Sequence, residues 1–264
     1  MKNCCPLVLP LAMAAVFTAM TGIPASAQTK AEAPACSTPA EFSRLGHSLT
    51  RTARRLASGE PLVIVAVGSS STAGAGASSP AAAYPSRLEA ELKTRFPGVP
   101  ITVLNRGAGG EEASQMVARF ETTVLSEHPD LVLWQLGTNA VLHDHMSGEA
   151  PLVKEGIRRL KAAGADVVLI DPQYCPKVLA KPDAERMVAL IGAEAKAGST
   201  GLFQRFAIMR HWHEVHGIPF ETLLSPDGLH MNDWSYGCVA KLLAAAISEA
   251  ARSPAIAGGP QTTR

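Results

Sequence analysis

The feature that most constrains this chain is its order of elements, in which short unbroken apolar runs alternate with longer stretches patterned for helices. The runs are Leu62–Val67, Ile101–Asn105, Leu131–Leu136 and Asp166–Asp171, with a last short strand predicted within Gly201–Ile208. None alternates polar with apolar residues, so each strand is predicted to be buried on both faces. Between and after them, Tyr84–Phe96, Glu111–Glu127, Pro151–Ala163, Asp183–Ala197 and Trp234–Ala251 read as helices. Buried strands separated by helices specify an α/β fold: a single doubly wound domain whose central parallel sheet carries helices on both faces. We place this domain at residues 59–252. Phe42, Leu45, Leu49, Ala53 and Leu56 predict one more helix over residues 41–57, packed on the outside of the domain.

The ends of the chain read differently. Lys2, the apolar stretch Pro6 to Ile23 and the small-residue signal Ala25-Ser26-Ala27 have the pattern of a secretory leader cleaved after Ala27. Pro10, Thr18, Thr21, Gly22 and Pro24 interrupt that stretch, which argues against a retained membrane anchor. The sequence therefore divides into a signal peptide (1–27), a lead-in and helix (28–58), the main domain (59–252) and a disordered tail (253–264). The expected location is the periplasm or the outside of the cell, without stable membrane insertion. Loss of Lys2 with the leader leaves the 23 acidic residues matched by an equal number of basic ones. That balance gives no electrostatic reason to bind nucleic acid or an anionic membrane. Cys36, Cys175 and Cys238 would remain in a compartment that permits disulfides, so one pair and one free thiol are expected, with all three pairings open.

In a doubly wound sheet, ligands bind beyond the carboxyl ends of the strands, which directs attention to the loops there. The first is Gly68-Ser69-Ser70-Ser71-Thr72-Ala73-Gly74-Ala75-Gly76. It lacks the Lys-Ser/Thr of a phosphate loop, and Ser79 stands where a dinucleotide fingerprint starting at Gly74 needs glycine. No nucleotide cofactor is expected. Near the other end, Ser225-Pro226-Asp227-Gly228-Leu229-His230-Met231-Asn232 puts an acid three residues before a histidine, just ahead of the last helix. A serine hydroxyl becomes a useful nucleophile only when a base takes its proton, and that base must be oriented by a third group. Asp and His on one short loop can supply both.

Taken together, these segments resemble the SGNH (GDSL-type) hydrolase family. Gly68 to Gly74 is similar to the family's Gly-Asp-Ser-Leu block, which makes Ser70 the nucleophile. Asn105 to Glu111 is similar to the second block, whose last glycine donates a backbone N–H, here Gly110. Leu136-Gly137-Thr138-Asn139 is similar to the third block, whose asparagine amide is an oxyanion donor, here Asn139. Asp227-Gly228-Leu229-His230 is similar to the fifth block, carrying the acid and the base. The resemblance covers about residues 62–250 and implies a flavodoxin-like three-layer sandwich. It further implies an oxyanion hole from the N–H of Ser70, the N–H of Gly110 and the amide of Asn139. Two positions depart from the family pattern: Ser69 replaces the usual Asp before the nucleophile, and Ala140 replaces the Asp often found after the third-block Asn.

The resemblance implies a serine esterase that removes a short acyl group, foremost acetyl, from a carbohydrate or another small ester, with neither metal nor cofactor. Two other readings keep the same residues: an acyltransferase acting on glycans, and a catalytically inactive binding module. The oligomeric state is left open. The segment His211-Trp212-His213-Glu214-Val215-His216 is rich in ligand types, but no single regular element presents its three histidines together and the helical zinc motif is absent. It reads as a solvent- or substrate-facing lid, with His143 and His145 at the cleft rim or on the surface.

Overall fold

A computed structural model of the chain describes residues 1–2 and 35–252. The predicted leader beyond its first two residues, the start of the lead-in and the predicted tail lie outside the described residues. Residues 35–252 form one compact unit.

Its centre is a sheet of β1 (Leu62–Gly68), β2 (Ile101–Gly107), β3 (Leu131–Gln135), β4 (Asp166–Ile170) and β5 (Gly201–Phe203). The order is β2-β1-β3-β4-β5, and every neighbouring pair is parallel. Every residue of β3 is buried, as is every residue of β1 except half-buried Val63; unbroken apolar runs record this two-sided burial. The main helices are α1 (Thr50–Ser58), α2 (Tyr84–Arg95), α3 (Ala113–Ala118), α4 (Glu149–Ala162), α5 (Ala184–Ala197) and α6 (Asp233–Arg252). Helices α1 and α2 pack with α6 on one face, and α3 and α5 pack with α4 on the other. The winding reverses between β1 and β3, so the crevice at their carboxyl ends is the topological switch point where ligands enter such folds.

Two elements differ from the sequence reading, each for a local reason. The helix expected over 41–57 is two helices, Ala40–Ser43 and α1, separated at Gly46, whose φ is +71°. Leu45 and Leu49 are buried as foreseen, but in a non-helical strap: the Leu45 carbonyl accepts from Leu202 N–H in β5, and Leu49 N–H donates to the Ala250 carbonyl. The helix expected over 111–127 begins at α3 and breaks at Arg119 into Phe120–Thr123 and a 3₁₀ turn, Leu125–Glu127. Arg119 turns its guanidinium back to Glu111 and to the Arg106 carbonyl, both at 2.7 Å. The last strand ends at Phe203 and a helix, Arg205–Arg210, follows. Buried Asp171 holds that corner, accepting from Phe206 N–H at 2.8 Å while its carbonyl accepts from Arg205 Nε at 3.0 Å.

Helix α1 sits at the amino ends of the strands. Asp130, just before β3, accepts from Arg51 Nε (2.6 Å), Arg55 Nε (3.0 Å) and Val63 N–H (3.0 Å). Asp166 at the start of β4 accepts from both the N–H and the hydroxyl of Thr52 at 2.8 Å. These bonds hold α1 at the opposite end of the sheet from the crevice, so it does not cover the crevice. Cys36 is bonded to Cys238 of α6, while Cys175 is a buried free thiol. No described helix is long and apolar enough to cross a membrane.

Candidate active site

Ser70 is the first residue of a one-turn helix, Ser70–Ala73, placed directly after β1. N–H groups in a first helical turn have no partner within the helix, so the Ser70 N–H, just past the end of β1, is free of helical bonding. Two contacts fix this turn. Gly107, at the end of β2, lies so close that a Cβ there would run into the Ala73 nitrogen and the Thr72 carbonyl carbon. The Ala108 N–H then donates to the Gly68 carbonyl at 2.9 Å. Ser69 is buried, and both its N–H (3.0 Å) and hydroxyl (3.1 Å) donate to Gln135 Oε1 of β3. Thr72 Oγ1 donates to the same oxygen at 3.2 Å. A serine in place of aspartate thus still anchors the turn, through a neutral amide.

The other half of the site is the loop before α6. Asp227 Oδ1 accepts from the Ser225 hydroxyl (2.8 Å) and from the N–H groups of Leu229 and His230 (2.9 Å each), an Asx-type turn that fixes the loop. Its Oδ2 meets His230 Nδ1 at 2.5 Å, and His230 Nε2 lies 2.8 Å from Ser70 Oγ. Partial burial opposes a charge on Asp227. The His230 ring, the two N–H groups and the Ser225 hydroxyl outweigh it and hold the carboxyl well below the usual range. The first turn of α6, directly after this loop, is tied to the nucleophile side by Tyr236 hydroxyl to the Ala75 carbonyl at 2.6 Å, and by Ser78 N–H to Asp233 at 2.8 Å.

Gly110 adopts φ +79°, a left-handed turn suited to glycine, with open space where a side chain would stand. Asn139 lies on a short helix, Thr138–Leu142, after β3, and is buried. Its Nδ2 donates to the Glu111 carbonyl at 2.8 Å, which binds the loop of Gly110 to the end of β3. An amide carries two N–H donors, and this bond uses one of them. The sequence reading missed Gln173. Its Oε1 accepts from Thr138 Oγ1 at 3.0 Å and Ser71 Oγ at 3.5 Å, and its Nε2 donates to the Leu229 carbonyl at 3.4 Å. One buried side chain therefore joins three segments of the site. Its position just past the end of β4, at the same edge of the sheet, was the available signal.

The His211–Val215 segment is a π-helical turn continuing the preceding helix. Trp212 is fully buried and donates Nε1–H to the Ser37 carbonyl at 3.1 Å, which anchors the turn. His213 stacks on Phe220 with centroids 3.8 Å apart. Phe220 in turn lines a groove of about 370 Å³ with Pro176, Leu224 and Pro226, against the loop that carries Asp227.

Residues 35–253 match the sequence model of the Non-GDSL lipase-like family, and the chain belongs to that family. Its fold is that of the SGNH-type esterases among solved structures. A two-domain esterase (CEX) active on acetylated mannans, co-crystallized with mannopentaose, aligns at a TM-score of 0.66 with 22% identity, over 80% of this chain and 56% of that one. TesA aligns at 0.61 with 21% identity, over 71% of this chain and 99% of its own. A catalytic mutant of Axe2, an acetylxylan esterase from Geobacillus stearothermophilus, aligns at 0.58 with 15% identity, over 70% and 94%. The chain spans little more than half the length of the mannan esterase. A comparison with curated protein sequences finds no match.

Proposed function

We propose that the chain is a serine esterase that removes a short acyl group, foremost acetyl, from a carbohydrate. Ser70 is the nucleophile, His230 the general base and then acid, and Asp227 the residue that orients His230. The observation that carries this reading is the continuous hydrogen-bonded line Asp227–His230–Ser70, at 2.5 and 2.8 Å.

In this mechanism Ser70 Oγ attacks the ester carbonyl carbon while its proton passes to His230 Nε2. Asp227 Oδ2 holds Nδ1–H, which fixes the tautomer and stabilises the imidazolium. The tetrahedral oxyanion is met by the N–H of Ser70, the N–H of Gly110 and the amide of Asn139, fixed donors that need no reorganisation. As the intermediate collapses, the alcohol leaves with the proton from His230 and Ser70 keeps the acyl group. Water then gives a proton to His230 and attacks the acyl carbon, and collapse of the second intermediate releases the carboxylic acid as His230 returns the proton to Ser70 Oγ.

Acetylated glycans are favoured as substrates because two of the structural neighbours act on acetylated mannans and on acetylxylan. The groove beside Asp227, with Phe220 exposed to it, offers a surface for a sugar ring. Export is supported by the leader pattern and by the Cys36–Cys238 bond, which belongs to an oxidising compartment.

The test is fluorophosphonate labelling and p-nitrophenyl acetate hydrolysis by the purified protein and by Ser70→Ala, followed by acetate release from acetylated mannan and xylan. Both signals should be present in the wild type and absent in the variant. A folded wild type that shows neither would remove the esterase reading and leave the binding module. Acylated glycan appearing in place of free acetate would favour the transferase.

A further inference from the structure

Among the described residues, and outside the Ser70 line, a second group of chemically capable side chains comes together. Glu112, His143 and His145 converge so that one ligand atom from each lies within 4.8 Å of the others. His143 Nδ1 is 2.7 Å from Glu112 Oε1, and His145 Nδ1 is 3.0 and 3.1 Å from its two oxygens. The convergence has a backbone cause. The helix Thr138–Leu142 ends in a Schellman-type cap: His145 N–H donates to the Ala140 carbonyl (2.8 Å), Asp144 N–H to the Val141 carbonyl (3.3 Å), and Asp144 has φ +60°. That reversal brings two histidines, separated by one residue, onto a single carboxylate. Asp144 itself points elsewhere, to Lys181 at 2.7 Å.

We propose that Glu112, His143 and His145 form a binding site for a divalent transition-metal ion of the zinc type. Two imidazoles and one carboxylate suit zinc, nickel or copper rather than magnesium or calcium, which take oxygen ligands. Three protein ligands leave a fourth position for water, and both histidines are half exposed, so an ion can enter. Tetrahedral zinc ligands about 2.0–2.2 Å from the metal stand roughly 3.3 Å apart, so the imidazole–carboxylate contacts of 2.7 and 3.0 Å would have to open, with the two histidine ligand nitrogens already within 4.8 Å of one another.

A second observation points the same way. Glu149, at the start of α4, is 3% exposed, and its Oε2 has no hydrogen-bond partner. Burial, and then the negative charge of Glu112, push its carboxyl up to about 7, while His145 pulls it back. Glu149 is close enough to feel the charges of both Glu112 and His145, so a dication bound there would ease the burial of this unpartnered carboxyl. The site would also join two loops: Glu112 follows Glu111, whose carbonyl takes the Asn139 amide, and His143 closes the helix that bears Asn139. The ion would act as a staple between those loops, whatever chemistry Ser70 performs.

Zinc chloride titrated into chelator-treated full-length protein at neutral pH, followed by calorimetry and thermal unfolding, tests this. One ion per chain, with micromolar or tighter affinity and a raised Tm, is expected. His143→Ala with His145→Ala should weaken binding by more than about 100-fold, since even outer-shell partners are worth 10- to 100-fold. His211→Ala with His216→Ala, which removes the other close histidine pair at 4.6 Å, should leave it unchanged. Ser70→Ala should bind zinc as wild type, so failure of the esterase reading and failure of the metal site are read separately. Absence of binding, or binding indifferent to the His143/His145 change in a variant that still unfolds cooperatively, would overturn the proposal and leave a metal-free carboxylate–imidazole clasp.

Discussion

Asp227 addresses His230 with both of its oxygens: Oδ2 meets the ring Nδ1 at 2.5 Å, and Oδ1 accepts the backbone N–H of the same residue at 2.9 Å. One oxygen orients the imidazole and the other shapes the loop that carries it, so the two functions can be separated by substitution. In Asp227→Asn an amide oxygen can still serve the loop, while the amide N–H₂ would face Nδ1 and select the wrong tautomer. We expect kcat on p-nitrophenyl acetate to fall by about 10⁴-fold with little change in Tm. A loss below tenfold, measured on folded protein, would remove Asp227 from the proposed triad.

Asn139→Ala removes one of the three proposed oxyanion donors. A donor that acts mainly in the transition state should lower kcat by about 10²–10³-fold and leave KM nearly unchanged. Steady-state kinetics with a small acetyl ester would check this. A rise in KM with kcat intact would instead assign Asn139 to substrate binding.

Gly107→Ala and Gly110→Ala separate packing from catalysis. At position 107 the new methyl meets backbone of the Ser70 turn, which cannot give way as a side chain would; overpacking of this kind costs about 3 kcal/mol and should displace Ser70. Position 110 is open, so the methyl costs only the left-handed backbone, about 1–2 kcal/mol. Thermal unfolding should show a clearly larger loss for Gly107→Ala, and equal losses would contradict the close approach of β2 to that turn.

Glu149 makes stability depend on pH. Its carboxyl is raised by burial to about 7, against about 4.3 in an unfolded chain. A group raised in this way contributes fully below the unfolded value, and the contribution is lost as pH rises through the folded one. In chelator-treated protein, Glu149→Gln should match wild type near pH 4 and exceed it above pH 7, by roughly 3 kcal/mol. Urea unfolding at the two pH values measures this, and a difference that does not vary with pH would count against it.

Much of this architecture is legible in the sequence. The apolar runs at Leu62 and Leu131 announce strands buried on both faces, and the sheet places Ser70 and Asn139 at adjacent strand ends. The breaks were less legible, because apolar spacing reports which residues are buried and not the backbone that buries them. Leu45 and Leu49 keep a helical interval while lying in a strap, and Glu111–Glu127 keeps one across a break created by Arg119. Gln173 was hidden for another reason: its importance lies in joining segments distant in sequence, Ser71, Thr138 and Leu229, and no local pattern encodes that. The Glu112 cluster was hidden similarly, since two histidines spaced by one residue gain meaning only after the chain reverses at Asp144.

The bond between Cys36 and Cys238 spans 202 residues and encloses every strand of the sheet, together with Ser70, Asp227 and His230, in one covalent ring. A protease that cuts a single surface loop anywhere within that ring yields no separable fragment. The two pieces stay tethered and migrate apart only after reduction, so clipped molecules can persist as intact particles in a degradative environment.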